Sequence, residues 1–290
     1  MIMDTVTLIA PAKINLHLEI RGLREDGYHE LHTLFYPVDM PCDLIKIEPA
    51  PDNDFYIRCP DNPDLETTSN LIYKAWKAYG TATGFKPGVF VTLTKRIPMG
   101  GGLGGGSSNA ATMLKWLNDE AGDAALVPDE LLSLGAAIGA DVPFFLMNAP
   151  AWAGGIGEKL EPADVDLSDK TLVIACPAIH VDTPWAFRAW DEKNGSPQAP
   201  ESLTSQPSGS KNPSPVSPPD MRNDFEPVVF DEFPTLREIK EKLLAAGAEF
   251  AAMSGSGAAL FGIYPTRESA MSAALALESE GIEIFTVDCR

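Results

Sequence analysis

Apolar and polar residues alternate strictly through "KINLHLEI": Ile14, Leu16, Leu18 and Ile20 share one face, and Lys13, Asn15, His17 and Glu19 share the other. A period of two predicts a half-buried strand whose polar face opens on a lysine and an asparagine. The turn "REDGYHEL" leads to a second apolar stretch, "HTLFYPV", and "CDLIKIEP" predicts a third strand. "TTSNLIYKAWKAYG" predicts a helix, with Thr68 or Ser69 as its cap and Gly80 near its end. "GVFVTLTKRIP" is a further strand, and "SSNAATMLKWLNDE" places Ala111, Met113, Leu114 and Leu117 at helical spacing. "PDELLSLGAAIG" predicts another helix, and in "ADVPFFLM" Asp141 stands where an N-cap would, with Pro143 just inside a short helix. "TLVIACP" reads as a buried strand and "TPWAFRAW" as a short helix. The last third, "PTLREIKEKLLAAGA", "FAAMSGSGAALFGIY", "TRESAMSAALALESEG" and "IEIFTVDC", reads as helix, strand, helix, strand, the alternation of a compact α+β domain.

Composition narrows the class. The chain has 290 residues, 44% hydrophobic and 22% charged, enough for two domains or one large one. "GSPQAPESLTSQPSGSKNPSPVSPP", Gly195 to Pro219, is dominated by Pro and Ser and predicts a disordered surface insertion. No apolar run reaches membrane-spanning length, and Asp4 stands where a signal peptide would carry positive charge, so no export is expected. Cys42, Cys59, Cys176 and Cys289 lack any C-x-x-C spacing, which predicts reduced thiols and a cytoplasmic protein. No His/Cys/carboxylate cluster suggests a protein-held metal; His17, His32, Trp76 and Trp116 are expected to be structural. A formal net charge of -19 makes the surface repel nucleic acid and anionic lipid. A phosphate-bearing ligand therefore needs a local device to hold it.

Such a device is suggested by "PMGGGLGGGSSNAATML", Pro98 to Leu114, where six glycines surround one leucine between a strand and a helix starting near Ser107. Glycine costs ordering entropy, so the cluster is either a slack joint or a loop whose bare backbone touches a ligand. A Walker A loop would need Lys-Ser or Lys-Thr after the final glycine, and Gly106 is followed by Ser107 and Ser108. Gly100, Gly102 and Gly105 fit G-x-G-x-x-G, but two cations and a proline intervene after the strand and no second strand ends in an acid at the spacing of a dinucleotide fold. The ligand-binding reading that stands against a flexible joint is a phosphate cradle of converging N–H groups at a helix N-terminus, with the hydroxyls of Ser107 and Ser108 offered to phosphate or Mg²⁺.

"PMGGGLGGGSSNAA" resembles the phosphate loop of the GHMP superfamily, named for galactokinase, homoserine kinase, mevalonate kinase and phosphomevalonate kinase. Within it, "PAKINLHLEIRGLREDGYHELHTLFYPVD", "GADVPFF" and "SGSGAALFGIY" resemble the 4-diphosphocytidyl-2-C-methyl-D-erythritol kinases, and only the Pro/Ser insertion departs from them. The resemblance implies an N-terminal mixed α/β domain over residues 1–155 and a C-terminal ferredoxin-like α+β domain over 156–290. It implies ATP with Mg²⁺, a small-molecule substrate carrying a cytidine diphosphate whose C2 hydroxyl is phosphorylated, and a monomer or weak homodimer. The catalytic pair carried over is Lys13 and Asp141. An ammonium at Lys13 would steady charge on the transferring phosphoryl group, and Asp141 would accept the alcohol's proton, as a weak base if a helix N-terminus favours its ionised form. Nucleotide contacts map onto Pro98, Met99, Gly100, Gly101, Gly102, Leu103, Gly104, Gly105, Gly106, Ser107 and Ser108. Asn70 and Lys95 are added candidates, for which a helix-start asparagine and a surface lysine are equal alternatives. Tyr28 and Phe187 map to the two aromatic faces around the pyrimidine, His29 to its edge, and Asn15 and Thr183 to the diphosphate or erythritol part. Ser254 to Gly257 resemble the family's third motif, a second glycine turn, with a tight strand-to-helix bend as the alternative. Another small-alcohol kinase of the superfamily is the near rival, set apart by "DGYHEL"; a non-catalytic nucleotide or metabolite sensor of the same fold and a dinucleotide-dependent oxidoreductase are the more distant ones.

Overall fold

The two longest elements of the computed structural model, which describes residues 4–199, 221–278 and 281–289, are the strands β1 (Val6–Leu23) and β2 (His29–Pro49). They pair with each other. β1 is not half-buried as its alternation predicts: from Ala12 to Leu18 both faces are covered, and Lys13, Asn15 and His17 are buried with the apolar set. β2 absorbs both "HTLFYPV" and "CDLIKIEP". Pro37 and Pro41 look like breakers, but proline's fixed φ suits extended backbone, and the strand runs through the exposed Asp39 and Met40 between them.

By contacts the chain divides into two units, each discontinuous in sequence: Met1–Ala12, Pro41–Pro98 and Gly104–Ala149 form one, and Lys13–Met40, Met99–Leu103 and Pro150–Arg290 the other. In the first, β4 (Val89–Thr94) runs antiparallel to Leu44–Pro49 of β2 and parallel to β3 (Phe55–Arg58). Helix α1 (Leu71–Thr83) packs on α2 (Gly105–Glu120), and α2 packs on α3 (Pro128–Ile138) and α4 (Val142–Met147). Trp76, Tyr79, Met113, Leu114 and Leu117 are buried among them. The ends of α1 differ from expectation. Asn70, not Thr68 or Ser69, is the N-cap, its side chain accepting from Ile72 N at 2.9 Å, and the helix runs past Gly80 to Gly84, which closes it at φ 76°.

In the second unit, β7 (Thr171–Pro177) is followed by α5 (Thr183–Asn194), α6 (Glu226–Glu232) and α7 (Pro234–Ala245), then β8 (Phe250–Met253), β9 (Leu260–Tyr264), α8 (Arg267–Leu277) and β10 (Ile282–Asp288). The sheet order is β10-β7-β9-β8 with every pair antiparallel, the 4-1-3-2 arrangement of a ferredoxin-like domain. "FAAMSGSGAALFGIY" is thus a hairpin of two strands and not one, and the Ser254–Gly257 turn joins strand to strand. Trp190, Phe225, Leu236, Ile239, Leu243 and Tyr264 belong to its core, with the Tyr264 hydroxyl donating to Leu243 O at 3.0 Å. The hairpin β5 (Ala151–Gly154) and β6 (Lys159–Pro162) adds to Thr33–Phe35 of β2.

The edge of β1 within this unit is covered by two short segments. Leu23 exchanges backbone bonds with Pro197 and Ala199, and Leu18 with Arg222 and Asp224. The expected insertion therefore begins later than Gly195; its remainder, 200–219, lies outside the described residues. Among the described residues no helix is long and apolar enough to cross a membrane.

Candidate functional site

On the polar side of β1, Lys13 lies 4% exposed with its ammonium donating to Asn15 Oδ1 and sitting 4.9 Å from the centre of the Phe35 ring. Asn15 in turn donates from Nδ2 to Thr33 Oγ1 at 2.8 Å, and Thr33 donates to His17 O at 2.6 Å. This chain of donors fixes the rotamers of both candidates before any ligand arrives. The first half of the glycine loop, Met99–Leu103, closes over the same strand: Lys13 N donates to Leu103 O at 3.1 Å, and Ser254 Oγ donates to Gly102 O at 2.9 Å while accepting from Asn15 N at 3.2 Å. Gly102 has no room for a side chain. It stands at φ 71°, and a Cβ would fall 2.0 Å from Ser254 O. The second glycine turn thus braces the first, and is itself held by Asn223 Nδ2 donating to Met253 O and Gly255 O at 2.7 and 2.8 Å. Gly101 O accepts from Ala259 N at 3.2 Å, a Cβ on Gly100 would meet His180 at 2.6 Å, and Met99 is exposed.

In the other unit, Pro98 ends the approach from β4 and Gly104, at φ 73°, is the N-cap of α2, which starts at Gly105, earlier than the Ser107 expected. The buried Asp43, wholly shielded from solvent, organises this corner. Its carboxylate accepts from Lys95 Nζ at 2.6 Å, Arg96 N at 2.7 Å, Ile97 N at 2.9 Å and Asn109 Nδ2 at 2.9 Å. Lys95 is therefore not a surface lysine: its ammonium lies 2.9 Å from where a Gly105 Cβ would be. Gly106 is exposed, close to Leu71 at the start of α1, so the Asn70 cap lies by this helix end. Ser107 is half-buried, and Ser108 Oγ is shut from solvent with no hydrogen-bond partner. A Cβ on Gly139 would come 3.8 Å from Ser107 Oγ, which brings the turn ahead of α4, with Asp141 on it, against the first turn of α2. Asp141 occupies the N-cap position of α4, but its side chain makes no cap bond, so the expected capping role is not realised.

Tyr28 ends the Arg24–Tyr28 turn, 60% exposed, with its N–H on Asp26 Oδ1 at 3.1 Å. His29 opens β2 in a buried position. Its Nε2 is 2.9 Å from Asp191 Oδ1, and its ring stacks on Phe187 of α5 with centroids 4.5 Å apart at 17°. One face of Phe187 is thus taken by an imidazole, and the Phe225 ring meets Phe187 edge-on. Thr183, the first residue of α5, shares a 2.7 Å bond with Ser256 of the second glycine turn.

Sequence spacing offers no His/Cys/carboxylate cluster, but the fold assembles one such group. His17, Glu19 and His32 come together from β1 and β2, each presenting one ligand atom within 4.8 Å of the others. Burial, with Arg21 and His17 nearby, holds the His32 imidazole down to about 4 from its ordinary 6.5, against the opposing pull of Glu19. Trp76 and Trp116 are buried as expected. Three further residues escaped the sequence: Asp43, Asn109 and Asp191. The only signal for Asp43 is a carboxylate at the head of the apolar run "CDLIKI".

Residues 70–149 match the model of the GHMP kinases N terminal domain and residues 218–283 that of the GHMP kinases C terminal domain. The chain is 44% identical over 282 residues to the 4-diphosphocytidyl-2-C-methyl-D-erythritol kinase of Solidesulfovibrio magneticus, covering 96% of this chain and 95% of that one. With the namesake of Nitratidesulfovibrio vulgaris it shares 39%, covering 97% and 98%. Among solved structures it is similar to a 4-(cytidine 5'-diphospho)-2C-methyl-D-erythritol kinase, with TM-score 0.77, 36% identity and coverage of 98% and 100%. The homoserine kinase of Cytophaga hutchinsonii, at TM-score 0.72 and 17% identity over 100% and 96%, shares the fold.

Proposed function

Because the chain belongs to the 4-diphosphocytidyl-2-C-methyl-D-erythritol kinase family of the GHMP kinases, we propose that it moves the γ-phosphoryl group of ATP to the C2 hydroxyl of 4-diphosphocytidyl-2-C-methyl-D-erythritol, giving the 2-phosphate and ADP in the cytoplasm. The observation that carries this reading is identity of 44% sustained over 96% of a chain that carries "DGYHEL" with Tyr28 and His29.

The residues fit the assignment. Backbone amides of the loop from Pro98 to Ser108 hold the triphosphate, its glycines at 100, 102 and 104 standing at positive φ where a Cβ would be strained. The orphaned Ser108 hydroxyl is a polar group in want of a partner, which a phosphate oxygen or the nucleotide's Mg²⁺ would provide. Bound Mg²⁺ supplies neutralisation of phosphate charge. Lys13, aligned by Asn15, stabilises charge on the moving phosphoryl group, and Asp141 takes the proton of the attacking alcohol as the P–O bond forms and the bond to ADP breaks. His29 is tied through Nε2 to the Asp191 carboxylate, which leaves Nδ1 for the polar edge of the cytosine. Phe187, stacked on the imidazole, backs the His29 ring, and the exposed Tyr28 offers a face to the pyrimidine. Asn15 and Thr183 serve the diphosphate and erythritol part, and Asn70 and Lys95 the nucleotide.

The test is ADP release in a coupled assay with ATP-Mg²⁺ and each candidate alcohol. Turnover is expected with the cytidine diphosphate compound; turnover on mevalonate or homoserine with none on that compound overturns the reading. Lys13→Ala and Asp141→Asn are each expected to lower kcat by about 10²–10³-fold with ATP still bound. Near-wild-type rates in either would remove that residue from the mechanism.

A further inference from the structure

We propose that His17, Glu19 and His32 form a site for one divalent transition-metal ion of the zinc class, using none of the residues assigned to nucleotide or substrate. His17 and Glu19 stand two apart on β1 and so project from one face of it, and His32 reaches them from β2. Two imidazoles and a carboxylate are a donor set that holds zinc with a fourth position open to water. One ligand atom from each lies within 4.8 Å of the other two. Zinc bonds of about 2.0–2.2 Å set tetrahedral ligands roughly 3.4 Å apart, so the ligand atoms need to approach by at most about 1.4 Å.

The rings are held in place by packing. His32 lies flat on Trp152, 4.3 Å between centroids and 3° between planes, and His17 meets both rings edge-on at 5.8 and 5.7 Å. The Nδ1 atom of His32 is shut from solvent and makes no hydrogen bond, although Glu19 Oε2 is 3.6 Å away. A buried ring nitrogen facing a carboxylate at that separation is spaced for an ion between them. Glu19 is also claimed by Arg21 at 3.2 Å and Arg222 at 2.8 Å, so an incoming cation competes with two guanidinium groups for one carboxylate.

Untagged full-length protein, stripped with a chelator, is to be titrated with Co²⁺ alone and the bound Co²⁺ displaced by Zn²⁺. One saturating equivalent with the visible bands of a tetrahedral nitrogen-oxygen centre is expected, and Zn²⁺ raises Tm. His17→Gln and His32→Gln each weaken Co²⁺ binding by about 10-fold or more, while Arg21→Gln, which frees the carboxylate and spares both ligand rings, tightens it. Absence of a saturable equivalent overturns the proposal, as does a thiolate charge-transfer band in its place, or unchanged affinity in both histidine variants. Should a histidine variant fail to fold, Arg21→Gln decides: unchanged or weaker binding refutes the site.

Discussion

A carboxylate with no exposure to water is costly unless its oxygens are filled, and Asp43 fills them with an ammonium, two backbone N–H groups and an amide. Its partners stand 52 to 66 positions away. No spacing rule in the sequence connects them, whereas the adjacency of Lys13 and Asn15 on β1 was readable from alternation alone. Asp43→Ala strands the mostly buried Lys95 ammonium and is expected to cost about 3–5 kcal/mol, with Asp43→Asn costing about 1–3 kcal/mol. Urea unfolding measures both, and a loss under 1 kcal/mol in Asp43→Ala would show the cluster to be dispensable. Gly102→Ala meets Ser254 O and a left-handed φ together, so loss of folded protein or of nucleotide affinity is expected from a single methyl group.

Among the elements, β1 shows where pattern stops. Alternation sorted its two faces correctly, but what covers the polar face is decided by chain far away, including Ser254 and Thr33. Likewise the short α6 has no periodicity to read, and the hairpin β8–β9 hid because "SGSG" sits between two apolar runs that look like one. The β7–β10 pair carries a pH consequence. Cys176 on β7 and Cys289 just past β10 have thiols pushed up to about 12 by burial from an ordinary value of 9.0, with Glu283 adding to Cys176. A folded pKa above the unfolded one means that stability is complete below pH 9 and is lost as pH climbs toward 12. Thiolate absorbance in this window should therefore rise only with unfolding, and alkylating reagents at pH 8 should leave the native thiols intact. Rapid labelling of folded protein would contradict that burial.

For the whole molecule, the charge of -19 acts on an anionic substrate before any contact forms. Screening shortens from about 30 Å at 0.01 M salt to about 8 Å at 0.15 M, so the association rate of the cytidine diphosphate compound, followed by stopped flow, should rise across that range. A fall would mean that local cations dominate the approach. A different consequence follows from the two segments that border β1. Residues 197–199 lie along Leu23 and residues 222–224 along Leu18, so the excursion leaves and rejoins a single strand at anchor points roughly 16 Å apart at about 3.3 Å per residue. Replacing 201–219 by a glycine-serine bridge long enough to join those two points is expected to leave kcat and Tm where they were; a loss of either would show that the replaced residues are needed.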